Sequence, residues 1–356
     1  MGNKGQGQGS GFNTWCNMGN CLFDSRFHRL SAMAMLLLLT ACASTTPLPP
    51  PAADHHVHLR SEIAARALPR VQAARGERPA DLSGGRQDAE MLLSHLDRLG
   101  IEQAAILSLG YMYAIPDISF IGEYDKVRHE NDYAAAQAAR YPDRLVAFCG
   151  ISPIAEYALD EIDRCAGMGV TGIKLHMANS DIDLGDDEHI EALAAVFAHA
   201  GNHGLAIVIH LRPRGRIYNP DHVLNFINRV LPKAGDVPVQ LAHLGGGGGA
   251  DLTTLAAMRV FAAHSGAYDN LWFDLSGVFL RTEDIPGASR TDNRLRQNRR
   301  AAADLIRLIG PERVLFGSDW DSLEHEQTLQ PLLRLGYLTE VEIRAVLSNK
   351  APWLPD

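Results

Sequence analysis

Two histidines, His56 and His58, stand two residues apart at the end of the apolar run Ala53–His58. Side chains alternate along an extended strand, so both imidazoles emerge on one side and can reach a single cation. Four later runs also end on side chains that bind metals or move protons: Gly172-Ile-Lys174-Leu-His176, Leu205-Ala-Ile-Val-Ile-His210, Val239-Gln-Leu-Ala-His243 and Val314-Leu-Phe-Gly-Ser-Asp319-Trp320. One such ending carries little weight. Five of them, in order and at helix-length intervals, imply one shared site. His210 and His243 close successive runs and read as direct contacts of that site, and Asp319 closes the last. Such a set suits water activation: a bound Zn²⁺ lowers the pKa of its water to about 7, and a neighbouring carboxylate can ligate the ion or take the proton.

Strand ends converge on one point when the strands form a closed parallel ring. Eight strand candidates recur: Ala53–His58, Gln103–Leu107, Leu145–Cys149, Thr171–His176, Leu205–His210, Val237–His243, Leu271–Leu275 and Arg313–Gly317. Between them, Gln87–Leu99, Glu130–Arg140, Ala155–Met168, Asp187–Asn202 and Asp221–Val230 carry apolar residues at three- and four-residue spacing. This alternation predicts an α/β fold, a single-domain (β/α)8 TIM barrel over 53–356 with its chemistry at the C-terminal ends of the strands. An open doubly wound sheet is the alternative, but no phosphate-cradling glycine motif follows the first strand. Long segments after strands one, two and seven (Ser61–Arg86, Tyr111–Asp125 and Arg281–Asn298) are the expected lid and specificity elements.

The 356 residues are 46% hydrophobic and 21% charged with a net charge of −9, and no basic stripe tracks phosphates, so nucleic acid is not an expected partner. Residues 1–41 read as a signal region, with Met18 as an alternative start. Arg26 and Arg29 precede an apolar stretch, Leu30–Leu39, which ends in Thr40-Ala41-Cys42. This ending resembles a bacterial lipoprotein signal, with Cys42 lipidated and residues 42–52 a Pro-rich tether. That address implies a bacterial cell envelope, on the periplasmic side, and membrane attachment through Cys42. Cys149 falls in an inner strand and reads as a buried thiol. A disulfide to Cys165 is compatible with an oxidising compartment but is not legible from spacing.

The set His56-Val-His58, Gly172-Ile-Lys174-Leu-His176, His210, Ala-His243-Leu-Gly-Gly and Phe-Gly-Ser-Asp319-Trp resembles the amidohydrolase superfamily, in its amidohydrolase-related branch. Leu347-Ser-Asn-Lys-Ala-Pro-Trp353-Leu is similar to that family's closing segment. The resemblance implies a metal-dependent enzyme holding one or two divalent ions, usually zinc, on His56, His58, His210 and Asp319. His243 would polarise the substrate or shuttle a proton, with Asp319 as base. It also implies that Lys174 either bridges two ions as a carbamate or contacts substrate.

Around this set, His176 faces the same way as Lys174, and Arg212, Arg214 and Arg216 follow His210 where a substrate carboxylate would suit them. Trp320 would wall the pocket. Gly245–Gly249 reads as a turn, Asp274 as a partner for a ligand histidine, and His55 alternates away from the site. The leading reading is a hydrolase of a small amide, lactone or ester. A decarboxylase or hydratase of an aromatic or unsaturated acid is the rival, and a non-catalytic binding lipoprotein is a weaker third. The sequence is also compatible with a homo-oligomer.

Overall fold

A computed structural model describes residues 47–75, 85–213, 219–280, 293–320 and 322–355. The signal region and Cys42 lie outside the described residues, as do Arg214, Arg216 and most of Arg281–Asn298. Among the described residues no helix is long and apolar enough to cross a membrane.

Eight parallel strands form one sheet in chain order: β1 (Ala53–Val57), β2 (Gln103–Leu107), β3 (Leu145–Ile151), β4 (Gly172–His176), β5 (Ala206–His210), β6 (Val239–Leu241), β7 (Leu271–Asp274) and β8 (Val314–Leu315). Beyond β8 the chain runs alongside β1. His55 N donates to Phe316 O (3.0 Å), Asp319 N donates to His56 O (2.9 Å), and Val57 bridges to Trp320. The sheet therefore closes on itself, and the expected TIM barrel is the observed fold.

Alternation sorts each strand's side chains into two layers. Ile173 and Leu175, Ile207 and Ile209, and Ala104 and Ile106 join the large core between sheet and helices. Residues of opposite parity (Ala105, Leu107, Phe148, Ala206 and Val208) form a separate cluster inside the ring, with Trp353 packed against it. Gly172 makes room there: an added Cβ would lie 2.2 Å from Ala206 O and 2.4 Å from the Phe148 ring. The inner parity of β4 and β5 ends in Lys174, His176 and His210. The alternation that fills the barrel thus also delivers the polar residues to its mouth.

The helices differ from expectation at their starts. The segment after β1 contains α1 (Glu62–Ala74), whose Ser61 hydroxyl accepts from Ala64 N (3.2 Å) as an N-cap. Pro69 inside it obscures the helical pattern. The helix before β2, α2 (Ala89–Leu99), starts two residues after the expected Gln87. The helix after β2, α3 (Glu123–Ala139), begins seven residues before the expected Glu130, because its first two turns are charged. Next come α4 (Ala158–Gly167) and α5 (Asp187–Asn202), the latter with the boundaries that its periodicity predicts.

Two further expectations are corrected. Cys149 is not a free thiol: it forms a disulfide with Cys165, with Cα atoms 6.5 Å apart. Cys149 has the outward parity of β3, and Cys165 lies on the buried face of α4, so the two meet in the layer between sheet and helix. The end of the Pro-rich stretch is packed rather than extended as a tether. Ala52 N donates to Leu347 O (2.7 Å), Pro51 is buried, and Leu48 packs on the core.

Candidate metal centre

His56 and His58 enter the barrel mouth from β1, and each has its Nδ1 engaged. His56 Nδ1 donates to Asp274 Oδ2 (3.0 Å) and His58 Nδ1 donates to the Leu107 carbonyl (2.7 Å). Because Nδ1 carries the proton, each Nε2 keeps its lone pair. Both lone pairs meet the same atom: Asp319 Oδ1 lies 3.4 Å from His56 Nε2 and 3.5 Å from His58 Nε2. Two ligands at about 2.05 Å from a tetrahedral ion stand about 3.3 Å apart. The three side chains, whose ligand atoms all fall within 4.8 Å of one another, are therefore grouped as the ligands of one divalent cation would be.

Protonation agrees with that fit. Burial, with the charge of Lys174 adding to it, lowers the His56 pKa to about 4, so the ring is neutral near pH 7. Burial acts to raise the Asp319 carboxyl, but the three imidazoles around it, His58, His56 and His243, outweigh burial and hold the group well below its ordinary range. Asp319 also has φ +65°. A non-glycine residue pays about 1–2 kcal/mol there. The backbone is held by Asp319 N on His56 O and by Leu323 N on Asp319 O (3.0 Å).

Asp274, at the end of β7, organises the site from below and is fully buried. Its Oδ2 accepts from His56 Nδ1 and Gln240 Nε2 (2.6 Å), and its Oδ1 accepts from His243 N and Ser276 N (both 3.0 Å) and from the Ser276 hydroxyl. Burial would raise its pKa, yet the surrounding donors, His56 Nδ1 first and the Ser276 hydroxyl with it, outweigh burial and keep it ionised. The bond from His243 N explains why β6 stops at Leu241. His243 and Leu244 turn into the left-handed region (φ +53° and +56°), and His243 Nδ1 is then fixed on the Ser276 carbonyl (2.8 Å).

His210 lies four strands round from β1 and outside the His56–His58–Asp319 group. Its ring stacks on His176 at 4.0 Å and stands 5.0 Å from His243. Burial lowers the pKa of both His176 and His210 well below the ordinary value, and the neighbouring imidazoles add to it. Lys174 Nζ lies 3.3 Å from His56 Nε2. Burial lowers its pKa to about 8, against the pull of Asp274 and Asp319.

These residues line one cavity of about 250 Å³, the volume of a small molecule. Its walls come from the two long segments after β1 and β2: Leu68, Val71 and Arg75 of α1 and its cap, with Tyr111 and Met112. Tyr111 packs 5.0 Å from His176. The sequence points to Arg75 and Tyr111 only through the lengths of their segments, and carries no signal for Asn179. Asn179 Oδ1 is buried without a hydrogen-bond partner at the cavity edge.

Two expected contacts, Arg212 and Trp320, lie outside the cavity lining. The Arg212 guanidinium pairs with Asp251. Trp320 is buried outside the cavity, packed on His95 (5.3 Å) and His325 (5.9 Å), because the chain beyond Asp319 turns back against β1. Arg214 is not among the described residues. The turn reading of Gly245–Gly249 holds, with φ positive at residues 245, 248 and 249, and Gly247 leaves space beside His210 Nε2 that a Cβ would approach to 3.5 Å. His55, as expected, faces away, with Nδ1 on Phe316 O (2.9 Å) and Nε2 accepting from Ala351 N (3.1 Å).

A family model described as amidohydrolase matches residues 53–349. Among solved structures the chain is similar to 5-carboxyvanillate decarboxylase from Sphingomonas paucimobilis, with 17% identity, 84% of this chain and 97% of that one covered, and a TM-score of 0.57. It is similar to the 5-carboxyvanillate decarboxylase of Novosphingobium aromaticivorans, a structure with bound manganese, with 14% identity, coverage of 85% and 97%, and a TM-score of 0.59. It is also similar to a candidate 2-pyrone-4,6-dicarboxylic acid hydrolase from Pseudomonas putida, with 19% identity, coverage of 86% and 98%, and a TM-score of 0.55. No curated protein sequence matches.

Proposed function

The chain belongs to the amidohydrolase family, and we propose that within it this protein is a metal-dependent hydrolase of a small, carboxylate-bearing amide, lactone or ester. The observation that carries the reading is the convergence of His56 Nε2 and His58 Nε2 on Asp319 Oδ1 beside a small-molecule cavity. Zinc is the proposed ion, and a divalent cation held there supplies Lewis acidity that polarises a carbonyl and acidifies water. Asp319, ionised at neutral pH, takes a proton at its carboxylate. His243, its Nδ1 held by Ser276 O, presents Nε2 to the cavity to receive and return a proton. Arg75 and Lys174 provide positive charge for a substrate carboxylate, and the unpartnered Asn179 Oδ1 suits a substrate donor.

Decarboxylation of an aromatic acid is the second reading. It is favoured by two cationic side chains on one cavity, which suit the acid group such a reaction removes, and by the decarboxylases among the similar structures. For location we propose the periplasmic side of a bacterial envelope with a lipid at Cys42, supported by the Leu39-Thr-Ala-Cys42 ending and by a disulfide suited to an oxidising compartment.

One assay tests both activities. Protein with verified zinc or manganese content is incubated with carboxylated lactones, esters and amides and, separately, with hydroxybenzoates; acid release and CO₂ release are measured. Acid release lost in Asp319→Asn supports hydrolysis. CO₂ release without it moves the assignment to the lyase. Neither activity across the panel with metal-loaded enzyme would remove the catalytic proposal.

A further inference from the structure

A second set of metal-binding side chains lies on the outer helix layer, remote from the barrel mouth. His199 and His203 are four residues apart at the C-terminal end of α5, a spacing that places both on one helix face. The C-terminal ends of the barrel helices lie at the opposite end from the strand tips that carry His56, His210 and Asp319. Asp163, from the middle of α4, reaches across to that face. His199 Nε2 and His203 Nε2 each lie 2.7 Å from the same atom, Asp163 Oδ1. The three ligand atoms fall within 4.8 Å of one another.

We infer that Asp163, His199 and His203 form a second divalent transition-metal site, of the class taken by Zn²⁺ or Ni²⁺, that staples α4 to α5. Two imidazole nitrogens and one carboxylate oxygen are a borderline-soft donor set that such ions prefer, and Mg²⁺ and Ca²⁺ do not. Around an ion with ligands at about 2.05 Å, neighbouring donors stand about 3.3 Å apart, so each nitrogen–oxygen gap has to open by only about 0.6 Å. The side chains are half-exposed to exposed, so rotamer adjustment meets no packed wall and water completes the coordination. Three donors drawn from two helices explain the arrangement better than surface charge pairing, because two histidines spend their contacts on one oxygen while Arg164, the next residue, is committed to Glu161 and Asp132. The fold also prepares the site. Cys165, two residues on, is pinned to β3 by the disulfide, so α4 has a fixed position against which an ion can hold α5. The role is structural, and it does not rest on the catalytic reading.

The test compares wild-type protein with His199→Gln/His203→Gln and with Asp163→Asn, all outside the candidate catalytic residues. Each is dialysed against zinc buffered with a weak chelator and analysed for bound zinc per chain, and each is passed untagged over an immobilised nickel resin. The expected result is one fewer zinc per chain in the double variant, earlier elution from nickel, and a zinc-dependent rise in Tm that is smaller than in wild type. Asp163→Asn should fall between the two. Equal zinc content and equal retention for wild type and double variant would overturn the assignment and leave a hydrogen-bonded surface triad. Wild-type protein whose entire zinc content is lost in His58→Ala would overturn it as well, by assigning all bound metal to the barrel mouth. Failure of the catalytic reading, by contrast, would show as absent turnover with the zinc difference intact.

Discussion

Substituting Asp274 by Asn changes one atom and should cost metal affinity through a histidine tautomer. In the native site Asp274 Oδ2 accepts from His56 Nδ1 at 3.0 Å and from Gln240 Nε2 at 2.6 Å, while Oδ1 takes the His243 and Ser276 amides. An asparagine keeps its oxygen toward the two backbone amides, since neither can be turned away without unwinding the left-handed turn at His243. Its Nδ2 then faces two donors. Gln240 can flip its amide, whose Oε1 is unpartnered, at the expense of the bond to His55 O (3.2 Å). His56 can meet the new N–H only by moving its proton from Nδ1 to Nε2, which blocks the lone pair that points at Asp319.

Loss of a partner that orients a ligand histidine typically lowers metal affinity 10- to 100-fold, about 1.4–2.7 kcal/mol. The fold should survive, because both backbone amides keep an acceptor. Acid unfolding gives a second readout. The native Asp274 pKa is depressed, so its stabilisation is present above the ordinary carboxylate range and is lost as pH falls through and below about 4; the variant lacks that component. The assay is competition for zinc against a chromophoric chelator at pH 7, with circular dichroism melts as the folding control. A folded Asp274→Asn protein with wild-type zinc affinity would refute the tautomer argument.

Three further outcomes follow from the geometry. His58→Ala should lose bound metal, whereas His243→Ala should keep it and lose about 10²–10⁴-fold in turnover, the usual share of a proton-transfer group; an emptied site in His243→Ala would show that the residue is a ligand instead. Glu130 is buried on Ser61, and burial, opposed by the Ser61 hydrogen bonds, raises its pKa to about 7. Because the folded state then holds a proton that the unfolded state releases, wild-type stability should fall by about 3 kcal/mol as pH rises from about 4.5 through 7. Glu130→Gln should remove that slope, and parallel urea midpoints for both proteins at pH 5 and pH 8 would contradict it. Opening the Cys149–Cys165 disulfide, which spans 16 residues, should destabilise the chain by about 3 kcal/mol; Cys165→Ser melting with the oxidised wild type would argue against that.

Much of the site was legible because period-two alternation is a local property. His56 and His58 must share a side of β1, Lys174 and His176 a side of β4, and His55 must face away; each follows from counting residues on a strand. The recurrence of apolar runs likewise determined eight strands in a ring, and hence that His210, His243 and Asp319 approach a common mouth. Asp274 was legible as a strand-end partner for a histidine, although not for which one.

What the tertiary structure alone decided depends on distances between segments that no local pattern encodes. Trp320 is packed against His95 and His325 because Asp319 adopts positive φ and the chain past it folds back on β1. Arg212 pairs with Asp251 because the turn at Gly245–Gly249 brings the start of the following helix beside it. Arg75 and Tyr111 reach the cavity because α1 and the turn after β2 are laid across the mouth. Cys149 meets Cys165, and Asp163 meets His199 and His203, only once α4 has docked between β3 and α5. Local sequence sets which face a side chain takes. Packing sets what that face meets.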